Sequence, residues 1–272
     1  MIQDIFPHKL HNEFEPEAEL TPGSLILQID GNKALVKMSG SSPVLPTARD
    51  LGVTDGIFLL RLDDRACFMP ADKADPGEGY EYVGMRELRK VIPKEQAFTA
   101  LTGFQLVNWY ANNRYCGRCA GRMDFSATER ALVCPNCGNT VYPKIVPAVI
   151  VAVTNGDRIL LTRYANRPYS NYALIAGFTE IGETLEETVA REVMEEVGLK
   201  VKNIRYYKSQ PWGIVDDILV GYYCEVDGDD TIRLDRNELK EGVWLCRDEI
   251  PGSYEDNSMT NEMIMLFRDG RI

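Results

Sequence analysis

The chain has 272 residues, enough for two domains or one large one, and its 41 acidic against 30 basic residues give a formal net charge of −11. That balance excludes general electrostatic attraction to nucleic acid or anionic membranes, so a phosphate-bearing partner must be met by local cations or by metal. No apolar run approaches the roughly 20 residues of a membrane span, and the N-terminal MIQDIFPHKL lacks a signal-peptide hydrophobic stretch, so a cytoplasmic protein without membrane partners is expected.

Residues 1–111 read as a β-rich domain with two helices at its end. Ser24–Ile29 and Ala34–Met38 flank Asp30-Gly31-Asn32, which predicts a hairpin. Gly56–Leu62 and Ala66–Met69 repeat the pattern around an Asp-Asp turn. Helices are predicted over Met85–Ile92, ended by Pro93, and over Lys94 to about Asn112, with Ala97, Leu101, Phe104, Val107 and Trp109 inward. No catalytic signature precedes Pro93. The two histidines, His8 and His11, lie near the N-terminus, so a histidine general base is not expected unless that terminus folds back over a site.

Residues 112–143 contain Cys116-Gly-Arg-Cys119 and, after fourteen residues, Cys134-Pro-Asn-Cys137. Paired knuckles at this separation suit tetrahedral thiolate ligation of one structural Zn²⁺, with no open position for chemistry. A redox-active reading expects one such pair beside a βαβ unit and does not fit. The basic character here, from Arg114, Arg118, Arg122, Arg130 and Lys144, is too modest for a strong nucleic-acid signal. The remaining cysteines, Cys67, Cys224 and Cys246, sit in apolar surroundings and read as buried thiols.

Residues 144–272 alternate strands with two helices. Val146–Val153 and Arg158–Tyr164 flank Asn155-Gly156, a hairpin signal. Tyr172–Ala176 leads into GFTEIGETLEETVAREVMEEVGL, residues 177–199. Thr184 with Glu187 forms a capping-box pattern and Gly198 a stop, predicting a helix over Leu185–Val197. Its helical period places Leu185, Val189, Ala190, Val193, Met194 and Val197 on the core side and gathers Glu192, Glu195 and Glu196 on another. Carboxylates clustered this way repel unless a cation sits among them, and hard oxygens suit Mg²⁺ or Mn²⁺. Glu183 on the preceding loop can join them, and Arg191 can pair with a loop carboxylate. The plain alternative is a solvated acidic face, but it leaves the register of the two glycines, the Arg-Glu pair and the Glu-Glu pair to chance. Val201–Tyr207, Ile218–Val226 and Gly242–Cys246 follow as strands, and Asn257–Phe267 as a closing helix with Met259, Met263, Ile264 and Phe267 inward. The whole is expected to be α+β, an α/β/α sandwich preceded by a ribbon and a β-rich domain.

The 177–199 stretch resembles the Nudix box at all of its fixed positions. The ribbon before it, Tyr142-Pro143-Lys144 at the domain start and Ser209-Gln210-Pro211-Trp212 after it narrow the resemblance to the NADH pyrophosphatase (NAD⁺ diphosphatase) branch of the Nudix hydrolases. The likeness runs from about Arg89 to the C-terminus and is weak before that. It implies a homodimer with one zinc per chain that splits NAD(H) into nicotinamide mononucleotide and AMP, or removes NAD caps from RNA. Other readings are hydrolysis of another diphosphate such as ADP-ribose, and a non-catalytic Nudix-fold ligand sensor, which has no need of Glu192, Glu195 and Glu196.

Carried over by position, the resemblance implies that Glu192, Glu196 and Glu238, with the carbonyl of Ala176, hold the catalytic Mg²⁺ or Mn²⁺. Glu195 is then a further ligand or the proton acceptor for the attacking water. Phe178 is implied to stack on a ring of the substrate, with Tyr142, Glu129, Arg89 and Gln210 lining the dinucleotide site. Glu241 lies close enough to Glu238 that sequence leaves the choice between them open. One departure stands out: the family's Pro-Phe-Pro after Trp212 is here Gly213-Ile214-Val215, read as a more flexible loop beside the nicotinamide half, followed by Asp216-Asp217. Thr260 also stands where the family usually has Ala.

Overall fold

Turn residues cut the first third of the chain into short strands that pair in two small sheets. The computed structural model describes residues 1–40, 42–165 and 171–272. In the first sheet, β1 (Lys33–Ser39) pairs antiparallel with Ile29–Asp30, with Ser42–Val44 and with Tyr80–Gly84. In the second, β2 (Gly56–Leu62) and β3 (Arg65–Pro70) form a hairpin, flanked by Leu10–His11 on β2 and by Leu25–Ile26 running parallel to β3. The hairpin expected from Ser24 to Met38 is therefore only partly formed. Leu25–Ile26 leaves to the other sheet, and only Ile29–Asp30 turns back through Gly31 onto Lys33–Ala34. The reason is burial on both sides: Leu25 and Leu27 enter one apolar cluster, whereas Ile26 joins Phe58 and Phe68 in another.

Helices α1 (Met85–Val91) and α2 (Lys94–Asn112) follow, separated at Pro93 as expected. All five residues anticipated on the inner side of α2 are buried. The ribbon is a three-stranded antiparallel sheet of β4 (Asp124–Phe125), β5 (Leu132–Val133) and β6 (Thr140–Val141). Cys116, Met123, Leu132 and Cys134 share one apolar cluster with Leu106, Trp109 and the strands before them. Ribbon and N-terminal region thus form one compact unit, residues 2–145 together with 212–216.

The second unit comprises Met1, residues 146–211 and residues 217–272. Its sheet contains β7 (Val146–Asn155), β8 (Arg158–Tyr164), β9 (Ile175–Phe178), β10 (Val201–Trp212), β11 (Asp217–Val226) and β12 (Leu239–Cys246). The order is β10-β11-β7-β8-β12, with β9 also pairing β7. Strands β7 and β11 run parallel from Val146↔Asp217 to Thr154↔Glu225, and β9 is antiparallel to β7. Alternate residues of β7 enter different cores, the signature of a strand covered on both faces. Val149, Val151 and Val153 meet Val189, Val193 and Val197 of α3 (Leu185–Val197). Ile150 and Ala152 meet Met259, Met263 and Phe267 of α4 (Met259–Arg268). This is the expected α/β/α sandwich. No described helix is long and apolar enough to cross a membrane.

Candidate active site and metal centre

Local chemistry fixes the acidic helix. The Thr184 hydroxyl accepts from the Glu187 N–H at 3.2 Å, and Glu187 returns the bond by accepting from the Thr184 N–H at 2.7 Å. At the other end Gly198, with φ 70°, takes the left-handed conformation and donates its N–H to the Met194 carbonyl. The bounds are those expected, but the buried edge is not. Ala190 and Met194 face solvent, and Thr188 and Glu196 are buried with Val189, Val193 and Val197. The helix is rotated so that the edge carrying Glu196 turns inward, which leaves that residue 3% exposed. A solvated acidic face is thereby excluded for Glu196, because a carboxylate buried this deeply demands compensating chemistry.

Arg191 organises the outer edge. Its guanidinium donates to both oxygens of Glu183 at 2.6 and 2.9 Å, to Glu192 at 2.7 Å, to Glu195 at 3.0 Å and to the Phe178 carbonyl at 2.9 Å. Loop, strand β9 and helix are held by one side chain. Glu183 also accepts from the Thr188 hydroxyl and the Glu180 N–H, so it ties the turn to the first turns of the helix. The Arg191 guanidinium beside it holds its carboxyl down at about 2.

Glu192 lies against the strand. A Cβ at Gly177 would stand 1.9–2.3 Å from its carboxylate atoms, so only glycine leaves room for that carboxylate against β9. Burial pushes the Glu192 carboxyl up, Arg191 opposes this, and the charges of Glu195 and Glu238 add to it. Glu238 therefore lies within electrostatic reach of Glu192, whereas Glu241 is engaged by Arg163 at 2.9 Å. Glu195 is exposed. Ala176 sits opposite Ile150 in the sheet, and the half-exposed ring of Phe178 closes the same strand.

Gln210 is buried and accepts from the Met259 N–H at 3.1 Å, at the first turn of α4. Tyr142 is exposed and donates its hydroxyl to Glu129 at 3.0 Å. Arg89 stacks over the Trp212 ring at 5.1 Å. Tyr142, Glu129 and Arg89 belong to the first unit, and Phe178, Gln210 and the glutamates of α3 to the second.

The segment after Trp212 departs from the flexible loop expected of it. A Cβ on Gly213 would lie 2.2 Å from the Leu101 carbonyl of α2, and Ile214 packs into the cluster around that helix. Glycine here serves close backbone contact, a role no local sequence signal announces. The Arg163–Glu241 pair was equally invisible, because its partners are 78 residues apart.

In the ribbon, ligand atoms of Cys116, Cys119, Cys134 and Cys137 all lie within 4.8 Å of one another. The Cys116–Cys137 and Cys119–Cys134 sulfurs are 3.6 and 3.4 Å apart, close to the edge of about 3.8 Å in a tetrahedron built on Zn–S bonds of about 2.3 Å. Each knuckle closes alike, the Ala120 N–H donating to the Cys116 carbonyl and the Gly138 N–H to that of Cys134. Both closing residues are left-handed, with φ 58° and 71°. The donor set and its geometry fit one structural zinc.

Comparison with known proteins agrees with this anatomy. Residues 144–265 match the NUDIX domain and residues 111–142 the NADH pyrophosphatase zinc ribbon domain. Proteins named NAD-capped RNA hydrolase NudC from Erwinia tasmaniensis and Escherichia coli O9:H4 are each 41% identical over 169 residues, 61% of this chain. The match spans 64% and 65% of those relatives' own lengths, just under two thirds. A crystal structure of a NUDIX hydrolase from Nitrosomonas europaea is 22% identical with a TM-score of 0.49, covering 58% of this chain and 92% of that one. The chain thus carries a NUDIX domain over residues 144–265, directly preceded by an NADH pyrophosphatase zinc ribbon domain over residues 111–142.

Proposed function

We propose that this protein hydrolyses the diphosphate of NAD(H) to nicotinamide mononucleotide and AMP. The observation that carries the reading is the burial of Glu196 beside a Glu192 carboxylate seated on Gly177, in a chain whose relatives are named for NAD-capped RNA hydrolysis. Glu192, Glu196 and Glu238, with the Ala176 carbonyl, are the proposed holders of Mg²⁺ or Mn²⁺, a set of hard oxygen donors. Such ions, when bound, neutralise the diphosphate and lower the pKa of an attacking water.

The chain's own groups divide the remaining work. Glu195, exposed beside this edge, serves as a further ligand or accepts the proton of the water. Arg191 holds Glu183, Glu192 and the Phe178 carbonyl in one frame, so the acidic edge keeps its geometry before substrate arrives. The half-exposed Phe178 ring offers a stacking surface to the nicotinamide or a base. Tyr142, with its hydroxyl on Glu129, and Arg89, stacked on Trp212, are the proposed polar contacts to the dinucleotide. Gln210 is too deeply buried to reach far, and its role is to position the first turn of α4. A homodimer in the cytoplasm completes the proposal, the dimer to be checked by sedimentation.

Decapping of NAD-capped RNA is the second reading, favoured by the names of the relatives and disfavoured by the net charge of −11. Product analysis with NADH, NAD⁺, ADP-ribose, a diadenosine polyphosphate and an NAD-capped oligonucleotide, each with Mg²⁺ and with Mn²⁺, tests both. Nicotinamide mononucleotide and AMP as dominant products support the first reading. Cleavage of the capped oligonucleotide alone replaces it with the second, and no cleavage of any substrate leaves only a ligand sensor.

A further inference from the structure

We propose that the unit formed by residues 2–145 carries a second ligand site, a cavity of about 660 Å³ that takes a nucleoside monophosphate. The cavity is bounded by the N-terminal sheets, the last turns of α2 and the ribbon hairpin. None of the residues proposed above to hold metal or dinucleotide lines it. Its volume falls within the roughly 300–1,000 Å³ of ordinary small-molecule sites.

Two features of the lining define the ligand. The first is aromatic. Tyr110 and Phe125 stand with ring centroids 5.5 Å apart, and Phe125 and Tyr115 leave much of their rings open to solvent. Met69 and Ile57 continue that wall with apolar side chains. Exposed rings beside an apolar recess are surfaces on which a flat base stacks.

The second feature is charge. Lys73, Arg114 and Arg122 line the cavity and, among the described residues, no carboxylate does, in a chain that carries eleven more acidic than basic residues. Lys73 is already engaged by Asp30 at 2.6 Å. Arg114 and Arg122 are exposed, and among the described residues neither is in an ion pair. One effect opposes an anion: α2 ends here, and the last-turn carbonyls carry about half a negative charge. The side-chain amide of Asn113 covers one of them, donating to the Trp109 carbonyl at 2.7 Å. Two full guanidinium charges outweigh what remains, so the net preference is for an anion. A single phosphate places its whole charge inside this lining. A polyanion would continue onto the surface of an acidic protein, which favours a mononucleotide over a nucleic-acid strand.

Isothermal titration of the full zinc-loaded chain with AMP, without added Mg²⁺ or Mn²⁺, tests the assignment. Saturable binding is expected, weakened about tenfold or more by combined Arg114→Gln and Arg122→Gln, and unchanged by Phe178→Ala in the proposed active site. Phe125→Ala is expected to weaken AMP while leaving inorganic phosphate unaffected, and it decides the matter alone if the arginine variant fails to fold. Absence of saturable binding, or an AMP affinity indifferent to Phe125→Ala, overturns the proposal. Loss of AMP binding in Phe178→Ala also overturns it, by placing the nucleotide at the acidic helix. Unchanged hydrolysis of NADH by the arginine variant is expected and separates this site from the proposed reaction.

Discussion

Glu183 and Glu192 share the guanidinium of Arg191, yet their carboxyls are pushed in opposite directions. For Glu183 the Arg191 hydrogen bonds are the largest effect and, with the Glu180 N–H, outweigh the opposing burial, so ionisation is favoured. For Glu192 burial dominates over the same arginine, and neighbouring carboxylates add to it. The signs of their linkage to stability therefore differ. Glu183, with a folded value of about 2 against 4.5, contributes stability present above its unfolded pKa and lost as pH falls from 4.5 toward 2. Glu192, shifted upward, contributes stability present below 4.5 and lost as pH rises through its folded value. Replacing Glu183→Gln is predicted to lower the melting temperature more at pH 7 than at about pH 3.5, where the wild-type advantage has begun to vanish. Thermal unfolding at the two pH values checks this; equal losses would mean that the charge on Glu183 is irrelevant to the turn.

Elements were legible in the sequence where local chemistry specifies them. Thr184, Glu187 and Gly198 gave both bounds of α3, because caps act within a single turn. The rotation of that helix was not legible. Periodicity fixes which residues share a side, but with Ala190 and Met194 on one flank and Glu196 on the other, apolarity selects the wrong edge. Only the sheet beneath the helix decides, and it takes Glu196 inward. Long-range pairing failed in the same way at Leu25–Ile26, whose partner strand lies at Cys67–Phe68. The segment 212–216 is the clearest case: the substitution that removes family prolines reads as added flexibility, while the structure shows Gly213 pressed on the backbone of α2. Gly213→Pro is accordingly predicted to destabilise the fold by about 1–3 kcal/mol or more, through overpacking against Leu101. Denaturant unfolding measures this, and a variant as stable as wild type would show that the contact is not confining.

At the scale of the whole molecule, the ribbon belongs energetically to the N-terminal unit, since Cys116 and Cys134 are packed into its principal core. Zinc should then stabilise more than its own knuckles. Cys116→Ser, or removal of zinc by a chelator, is predicted to release metal at one equivalent per chain and to open residues 2–145 to proteolysis, sparing the unit that contains the acidic helix. Zinc-free protein with an unaltered protease pattern would contradict that coupling. In the other unit the buried edge of α3 is proposed as a metal-dependent hydrolytic centre whose carboxylates do not serve stability alone. The most direct measurement is the turnover of NADH by Glu196→Gln beside wild type, at saturating Mg²⁺ or Mn²⁺, with folding monitored in parallel. An intact fold and a fall in kcat of roughly 10²-fold or more are predicted for that variant. Near-normal turnover in a folded Glu196→Gln variant would contradict it.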